Sequence, residues 1–281
     1  MSSGGTVERL NQKIAIVTGG ASGIGRALCE RLARHGATVI VADLDASGAE
    51  QVAEDIAKSG GRASAARVDV ACADEVQNLI DRTVTQHGRL DYMFNNAGIG
   101  VGGELRDLEI GHWRRIVDVN LMGVVYGTTA AYGQMLNQGA GHIVNTASIA
   151  GLIGFPGALP YSATKSGVVG LSLSLRSEAA DLGVKVSVVC PGFVRTNIFE
   201  ASTLLNVPKD EFIAQIPFRL IDPGDAAHAI IRGVLRNRAI IVFPFYARML
   251  WWLQRLAPWV LTGFHRQSLA RFRKIRKPPP S

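Results

Sequence analysis

Tyr161 and Lys165 stand four positions apart in the run YSATKSG. On a helix that spacing sets both side chains on one face, where an ammonium can act on a phenol. A free phenol has a pKa near ~10 and a free lysine near ~10.4, so neither alone is a useful proton acceptor near neutrality. Held close together, the positive charge favours phenolate and lowers the tyrosine's pKa. The same pair also occurs on plain solvated helices, so the elements around it must decide between the two readings.

Upstream, NQKIAIVTGGASGIGRALCERLARHGATVIVADLD reads as strand, turn, helix, strand. Ile14 to Val17 is short and rich in β-branched residues, which favours a strand. Gly19, Gly23 and Gly25 follow, where missing side chains let the backbone approach a pyrophosphate and the next helix offers its N-terminal amides. The spacing is G-x-x-x-G-x-G, so the common G-x-G-x-x-G fingerprint is matched in mechanism and not in letter. Asp43 ends the second apolar run, roughly ~20 residues on, where a carboxylate meets an adenosine ribose and repels a 2'-phosphate. No arginine or lysine occupies position 21, 22 or 44 to receive that phosphate, and the cofactor predicted is NAD. A tight turn and a capping aspartate are the plain alternatives.

Further strand-like runs recur at Thr38 to Ala42, Tyr92 to Asn95, His142 to Thr146, Lys185 to Cys190 and Ile240 to Phe243, separated by helix-length segments without a linker. This alternation predicts a single doubly wound α/β domain, a parallel sheet with helices on both faces.

The motifs T-G-G-A-S-G-I-G (18 to 25), N-N-A-G (95 to 98), Asn120 in D-V-N-L-M-G, Ser148, the Tyr161/Lys165 pair and P-G-F-V-R-T (191 to 196) occur in an order and spacing that resemble the short-chain dehydrogenase/reductase family. The resemblance runs from about residue 12 to 240. It implies a Rossmann-like, mostly parallel seven-stranded sheet and an NAD(P)-dependent alcohol dehydrogenase or ketone reductase. Tyr161 would take the alcohol proton while a hydride leaves the carbinol carbon for the nicotinamide. Lys165 would lower the tyrosine's pKa and hold the nicotinamide ribose. Ser148 would bind the substrate oxygen, and Asn120 would hold a relay water. For the cofactor, the resemblance implies Thr18, Gly19, Ser22, Gly23, Ile24 and Gly25 at the phosphates, and Asp69 and Val70 at the adenine. It places Asn96, Ala97 and Gly98 along the adenosine ribose, and Pro191, Gly192, Val194 and Thr196 beneath the carboxamide. Asn95 is read as a tie between strands.

The chain of 281 residues carries a formal charge of +7 and a pI near 9.6, unevenly spread. Residues 226 to 281 hold eleven Lys or Arg and no acid, whereas residues 1 to 225 hold nineteen against twenty-three acids. No nucleic-acid motif accompanies this charge, and an acidic body would repel phosphate backbones, so nucleic acid is not the expected partner. Cys29, Cys72 and Cys190 are few and scattered, as reduced thiols are. The N-terminus lacks the pattern of a signal peptide, which predicts a cytoplasmic protein. His35, His87, His112, His142, His228 and His265 show no metal-ligand spacing, and no metal is expected.

The organisation expected is an N-terminal arm (1 to 11), a dehydrogenase domain (12 to 245) with a lid at about 197 to 217, and a C-terminal extension (246 to 281). In that extension Tyr246, Met249, Leu250, Leu253, Leu256 and Ala257 recur at helical spacing, with Arg248, Trp252 and Arg255 on another face. It falls short of the ~20 apolar residues of a membrane span. Two placements stay open: a helix lying on an anionic bilayer, which the basic RFRKIRKPPPS would suit, or, as preferred, a cover over the pocket or a subunit interface, with RFRKIRKPPPS mobile.

Apolar residues also fill the lid (Ile198, Phe199, Leu204, Leu205, Phe212, Ile213) and the segment IAGLIGFPGALP, which predicts a hydrophobic alcohol or ketone as substrate. The resemblance also implies a homo-oligomer, a tetramer. A 3-oxoacyl thioester reductase and a non-catalytic nucleotide-binding scaffold are the alternatives, opposed by Asp43 and by the intact catalytic set respectively.

Overall fold

The computed structural model describes residues 10 to 198 and 202 to 277. Residues 1 to 9 of the N-terminal arm, Phe199 of the lid and the last four residues of the chain lie outside the described residues.

Seven parallel strands form the central sheet: β1 (Ile14–Thr18), β2 (Thr38–Asp43), β3 (Arg62–Arg67), β4 (Tyr92–Asn95), β6 (Gly141–Thr146), β7 (Val184–Pro191) and β9 (Ile240–Phe243), in the order β3-β2-β1-β4-β6-β7-β9. The central strands are buried along nearly their whole length because helices cover both faces. Successive side chains alternate faces. Ala15 and Val17 therefore join Leu28, Leu32, Val52 and Ile230 on one side, while Ile14 and Ile16 join Leu79, Ile80, Met135 and Leu175 on the other. The first layer is built by α1 (Gly23–Arg34), α2 (Ala46–Lys58) and α8 (Pro223–Leu235). The second is built by α3 (Ala73–His87), α5 (Gly123–Gln138) and α6 (Leu159–Glu178). The sequence reading named no strand at β3. Its residues, RASAAR, are small or charged and only half-buried, as suits a sheet edge.

The chain moves outward from β1 to β2 and β3, then returns to place β4 on the other side of β1. At such a switch the strand ends diverge and leave a crevice beyond their carboxyl ends, where ligands bind in this architecture. Between α4 (Ile110–Val117) and α5 the helix widens into a π turn, Asp118–Met122, which buries Asn120 completely. Above the crevice a short parallel pair, β5 (Val101–Gly102) with β8 (Thr203–Leu204), ties the loop after β4 to the lid, which continues through α7 (Lys209–Ala214).

The extension forms two helices, not the one expected. α9 (Phe245–Leu256) ends at Ala257, and α10 (Pro258–Ile275) starts on Pro258. Proline's missing N–H costs nothing at a first helical position, so it both stops one helix and opens the next. Ala247, Leu250 and Leu261 are buried with Ile149 and Ile153, so the extension shares a core with the body. No helix among the described residues is long and apolar enough to cross a membrane.

Candidate active site

A cavity of about 870 Å³ occupies the crevice. Gly19, Ser22, Gly23, Ile24, Asp43, Asp69, Val70, Asn96, Ala97, Gly98, Pro191, Gly192, Val194 and Thr196 line it, together with Ser148, Tyr161 and Lys165. Thr18, Gly25 and Asn120, also expected at the site, are buried behind its wall.

Tyr161 and Lys165 rise from the first two turns of α6, which carries Pro160 as its second residue. The Lys165 Nζ lies 5.8 Å from the centre of the Tyr161 ring and donates to the Thr146 carbonyl at 2.9 Å. Ser148, two residues past β6, lines the same cavity as Tyr161, and its Oγ accepts from the Ala150 N–H at 3.1 Å. Burial pushes the Lys165 ammonium down to about 8. The expectation that the lysine holds the tyrosine's pKa below its ordinary value is not met. Desolvation of the buried phenol pushes it up, and Ser148 recovers only part of that shift. Asn120 bonds the Ile99 backbone at both ends of its amide, accepting from the N–H at 2.8 Å and donating to the carbonyl at 2.9 Å. It thereby fixes the Gly98–Ile99 turn, where a side chain at 98 would press on both Asn120 and the Lys165 Nζ.

At the other end, Gly19 and Gly23 take positive φ values of 66° and 53°, a conformation that glycine adopts without strain. A Cβ at Gly19 would lie 2.9 Å from the Ala97 Cα. The turn can therefore run close to β4 and aim the first amides of α1 into the cavity. Thr18 Oγ1 accepts from the Asn96 and Ala97 N–H groups at 3.0 and 3.1 Å, and Asn96 returns a bond to the Thr18 carbonyl at 3.0 Å. Thr18 is thus a clamp between β1 and β4 and not a lining residue. Asn95 bonds Asn145 at 2.8 Å and Thr128 at 3.2 Å, the tie between elements that the sequence suggested. Asp43 accepts from the Ala21 N–H at 2.9 Å and from the Asp45 N–H at 3.0 Å, so it holds the glycine turn while lining the cavity. Arg67, its partner in the β2–β3 register, pairs with Glu75. Asp69 Oδ1 caps the Ala71 N–H at 2.9 Å.

The substrate end is apolar. Ile198, Leu204 and Phe212 of the expected lid line it, joined by Ile216, Pro217 and Phe218 and by Ile149 and Phe155 from the segment after Ser148. Leu205 and Ile213 are absent from that lining. The extension covers the pocket, as the preferred sequence reading had it, but the residues that do so were not named: α10 contributes Phe264, Gln267, Ser268, Arg271 and Phe272 to the far wall. Nor is the basic end loose as far as Lys277. Arg273 bonds Glu104 at 2.7 Å, Arg276 bonds Asp107 at 2.9 Å, and the Lys277 N–H donates to the Asn206 carbonyl at 2.8 Å. Arg276 thereby holds the Asp107 carboxyl below its usual range. The signal was present as acids in GELRD facing an acid-free tail, but their pairing needs the fold. Tyr246 donates no less to the design: its Oη accepts from the Phe193 N–H at 2.7 Å, and its ring stacks on Phe218 at 4.2 Å, which pins the loop after β7.

Comparison with known proteins gives this arrangement its relatives. The short chain dehydrogenase family profile matches residues 13–204. The chain is 39% identical to cyclohexanol dehydrogenase of Acinetobacter sp. over 189 residues, covering 67% of this chain and 75% of that protein. It is 40% identical to a 3-oxoacyl-[acyl-carrier-protein] reductase of Synechocystis sp. over 192 residues, covering 68% and 78%. Among solved structures, a short chain dehydrogenase/reductase from Burkholderia phymatum in complex with NAD superposes with a TM-score of 0.78 at 28% identity, covering 97% of this chain and 98% of that one.

Proposed function

From the premise that the chain belongs to the short-chain dehydrogenase/reductase family, an oxidoreductase family, we propose that it interconverts a hydrophobic secondary alcohol and its ketone with NAD. The observation that carries this reading is the gathering of Ser148, Tyr161 and a buried Lys165 on the wall of one cavity whose far end is apolar. The cavity suits a dinucleotide: Gly19, Gly23 and Gly98 leave backbone bare where side chains would intrude. Lys165 uses one of its three donors on Thr146, which leaves two for ribose hydroxyls. A nicotinamide, when bound, supplies or accepts the hydride.

The chain's own groups then have distinct work. In the oxidation direction Tyr161, as phenolate, accepts the alcohol proton; in reduction its O–H gives the proton back to the carbonyl oxygen. Ser148 hydrogen-bonds that oxygen and stabilises the charge developing there. The Lys165 ammonium, charged below about 8, favours the phenolate form. Asp43 favours a free 2'-hydroxyl over a 2'-phosphate, and the cations that line the cavity, Arg115, Lys165 and Arg271, lie on α4, α6 and α10, none on the glycine turn or after β2.

A second reading, reduction of a 3-oxoacyl thioester, is favoured by the names of several relatives. A panel of secondary alcohols, ketones and a 3-oxoacyl thioester, offered with NAD(H) and NADP(H), separates the two. Turnover of the thioester with NADPH above all others would replace the first reading by the second.

A further inference from the structure

Helix α9 is apolar on two faces. Ala247, Leu250 and Trp251 pack inward against Ile149 and Ile153. On the outside, Phe245, Met249, Trp252 and Leu256 follow one another at i, i+4, i+7 and i+11, which is a single helix face. They are 72%, 51%, 54% and 72% exposed, and Trp259 and Val260 extend the surface at 70% and 50%. The sequence reading grouped Met249 and Leu256 with Leu250 in one stripe, and the fold instead exposes both; Trp252 is exposed with Arg248 and Arg255, the face on which that reading set it. Contiguous exposed apolar surface of this kind marks a contact with something outside the folded chain.

Charge selects the occupant. Arg248 lies 5.9 Å from the centre of the Phe245 ring, Arg255 lies 5.7 Å from that of Trp251, and no acid occurs anywhere from 226 to 281. A two-fold contact between copies would set this same patch against itself and oppose its arginines without a carboxylate from the segment. We propose that this face docks on an anionic lipid bilayer, with Phe245, Trp252, Leu256 and Trp259 in the headgroup–acyl boundary and Arg248 and Arg255 at the phosphates. Tryptophan and arginine suit that boundary because each joins an apolar body to a polar end. With no spanning helix among the described residues, α9 lies in the interface plane. One turn of α10, ~5 Å to 6 Å along its axis, separates exposed Val260 from cavity-lining Phe264. Docking thus sets a bilayer beside the cavity proposed to take an apolar substrate. The docking itself does not depend on that reaction.

Co-sedimentation with vesicles of phosphatidylcholine alone, and of phosphatidylcholine with phosphatidylglycerol, tests the proposal. The protein is expected to sediment with the anionic vesicles at low salt, to be released as salt rises, and to ignore the neutral ones. Arg248→Ser and Arg255→Ser should each weaken partition about fivefold. Trp252→Ser with Leu256→Ser should abolish it while the melting temperature and turnover of a short soluble alcohol stay unchanged. Failure of the wild-type protein to bind anionic vesicles overturns the proposal, as does wild-type binding by the double serine variant. A loss of subunits by that variant in light scattering, with no vesicle binding by the wild type, assigns the face to a second copy instead.

Discussion

Burial acts on the two central side chains in opposite directions, raising the Tyr161 phenol and lowering the Lys165 ammonium to about 8, so each is driven toward its neutral form. Ser148 opposes this at the tyrosine. Oxidation needs phenolate and should therefore quicken as pH rises from neutrality. In Ser148→Ala the rise should move to higher pH and the maximal rate should fall by ~100-fold or more, since an oriented oxygen-binding group is lost. Initial rates across pH check this, and an unshifted profile would remove Ser148 from the assignment. Asp43 makes a separate prediction: fluorescence titration should give tighter binding of NADH than NADPH, and Asp43→Asn should narrow the gap while keeping the Ala21 bond through its amide oxygen. Equal affinities in the wild type would end the case for NAD. Among single residues, those with a motif around them were legible in the sequence. Thr18 and Asn120 were legible as members of the site, but their roles were not, because a hydrogen bond to Ala97 or Ile99 is visible only once β1, β4 and the π turn meet.

At the scale of elements, strands such as Ile14–Thr18 and Thr38–Asp43 announce themselves because burial on both faces favours runs of apolar, β-branched residues. The edge strand Arg62–Arg67 does not, since its neighbour on one side is solvent. The lid was placed by its apolar content, whereas the wall made by α10 was hidden: which of its faces meets the cavity depends on Glu104 and Asp107, far away in sequence. That clamp can be tested by Glu104→Gln with Asp107→Asn. Freeing Arg273 and Arg276 should raise KM for a bulky apolar alcohol several-fold with little change in kcat, and an unchanged KM would show that α10 needs no such anchor. His142 bears on stability. Burial first, then Lys185 and Arg176, hold its pKa down to about 3, with its ring bonded to Ser187 at 2.9 Å. The folded protein therefore keeps it neutral. Its contribution is complete above the unfolded value near ~6.5 and is lost as pH falls from there toward about 3, because the unfolded chain binds the proton first. Melting temperatures should fall across that window, and His142→Gln should flatten the fall.

The whole molecule divides its charge and its tasks together: an acidic body holds the dinucleotide crevice, and an acid-free tail closes the substrate end. We propose that four copies assemble, as the family resemblance of the sequence implies, and light scattering should return a four-subunit mass; a monomer at working concentration would contradict this. Deleting residues 258 to 277 should open the cavity, raising KM for hydrophobic alcohols more than for small ones. The central claim, that this cavity interconverts an alcohol and a ketone through Tyr161, meets its most direct test in nicotinamide absorbance. Wild-type protein and Tyr161→Phe are to be compared with NAD and a hydrophobic secondary alcohol. The account predicts steady reduction of NAD by the wild type and a loss of ~100-fold to ~10,000-fold in kcat for the phenylalanine variant, with NAD affinity largely kept. A variant that turns over as fast as the wild type would contradict it.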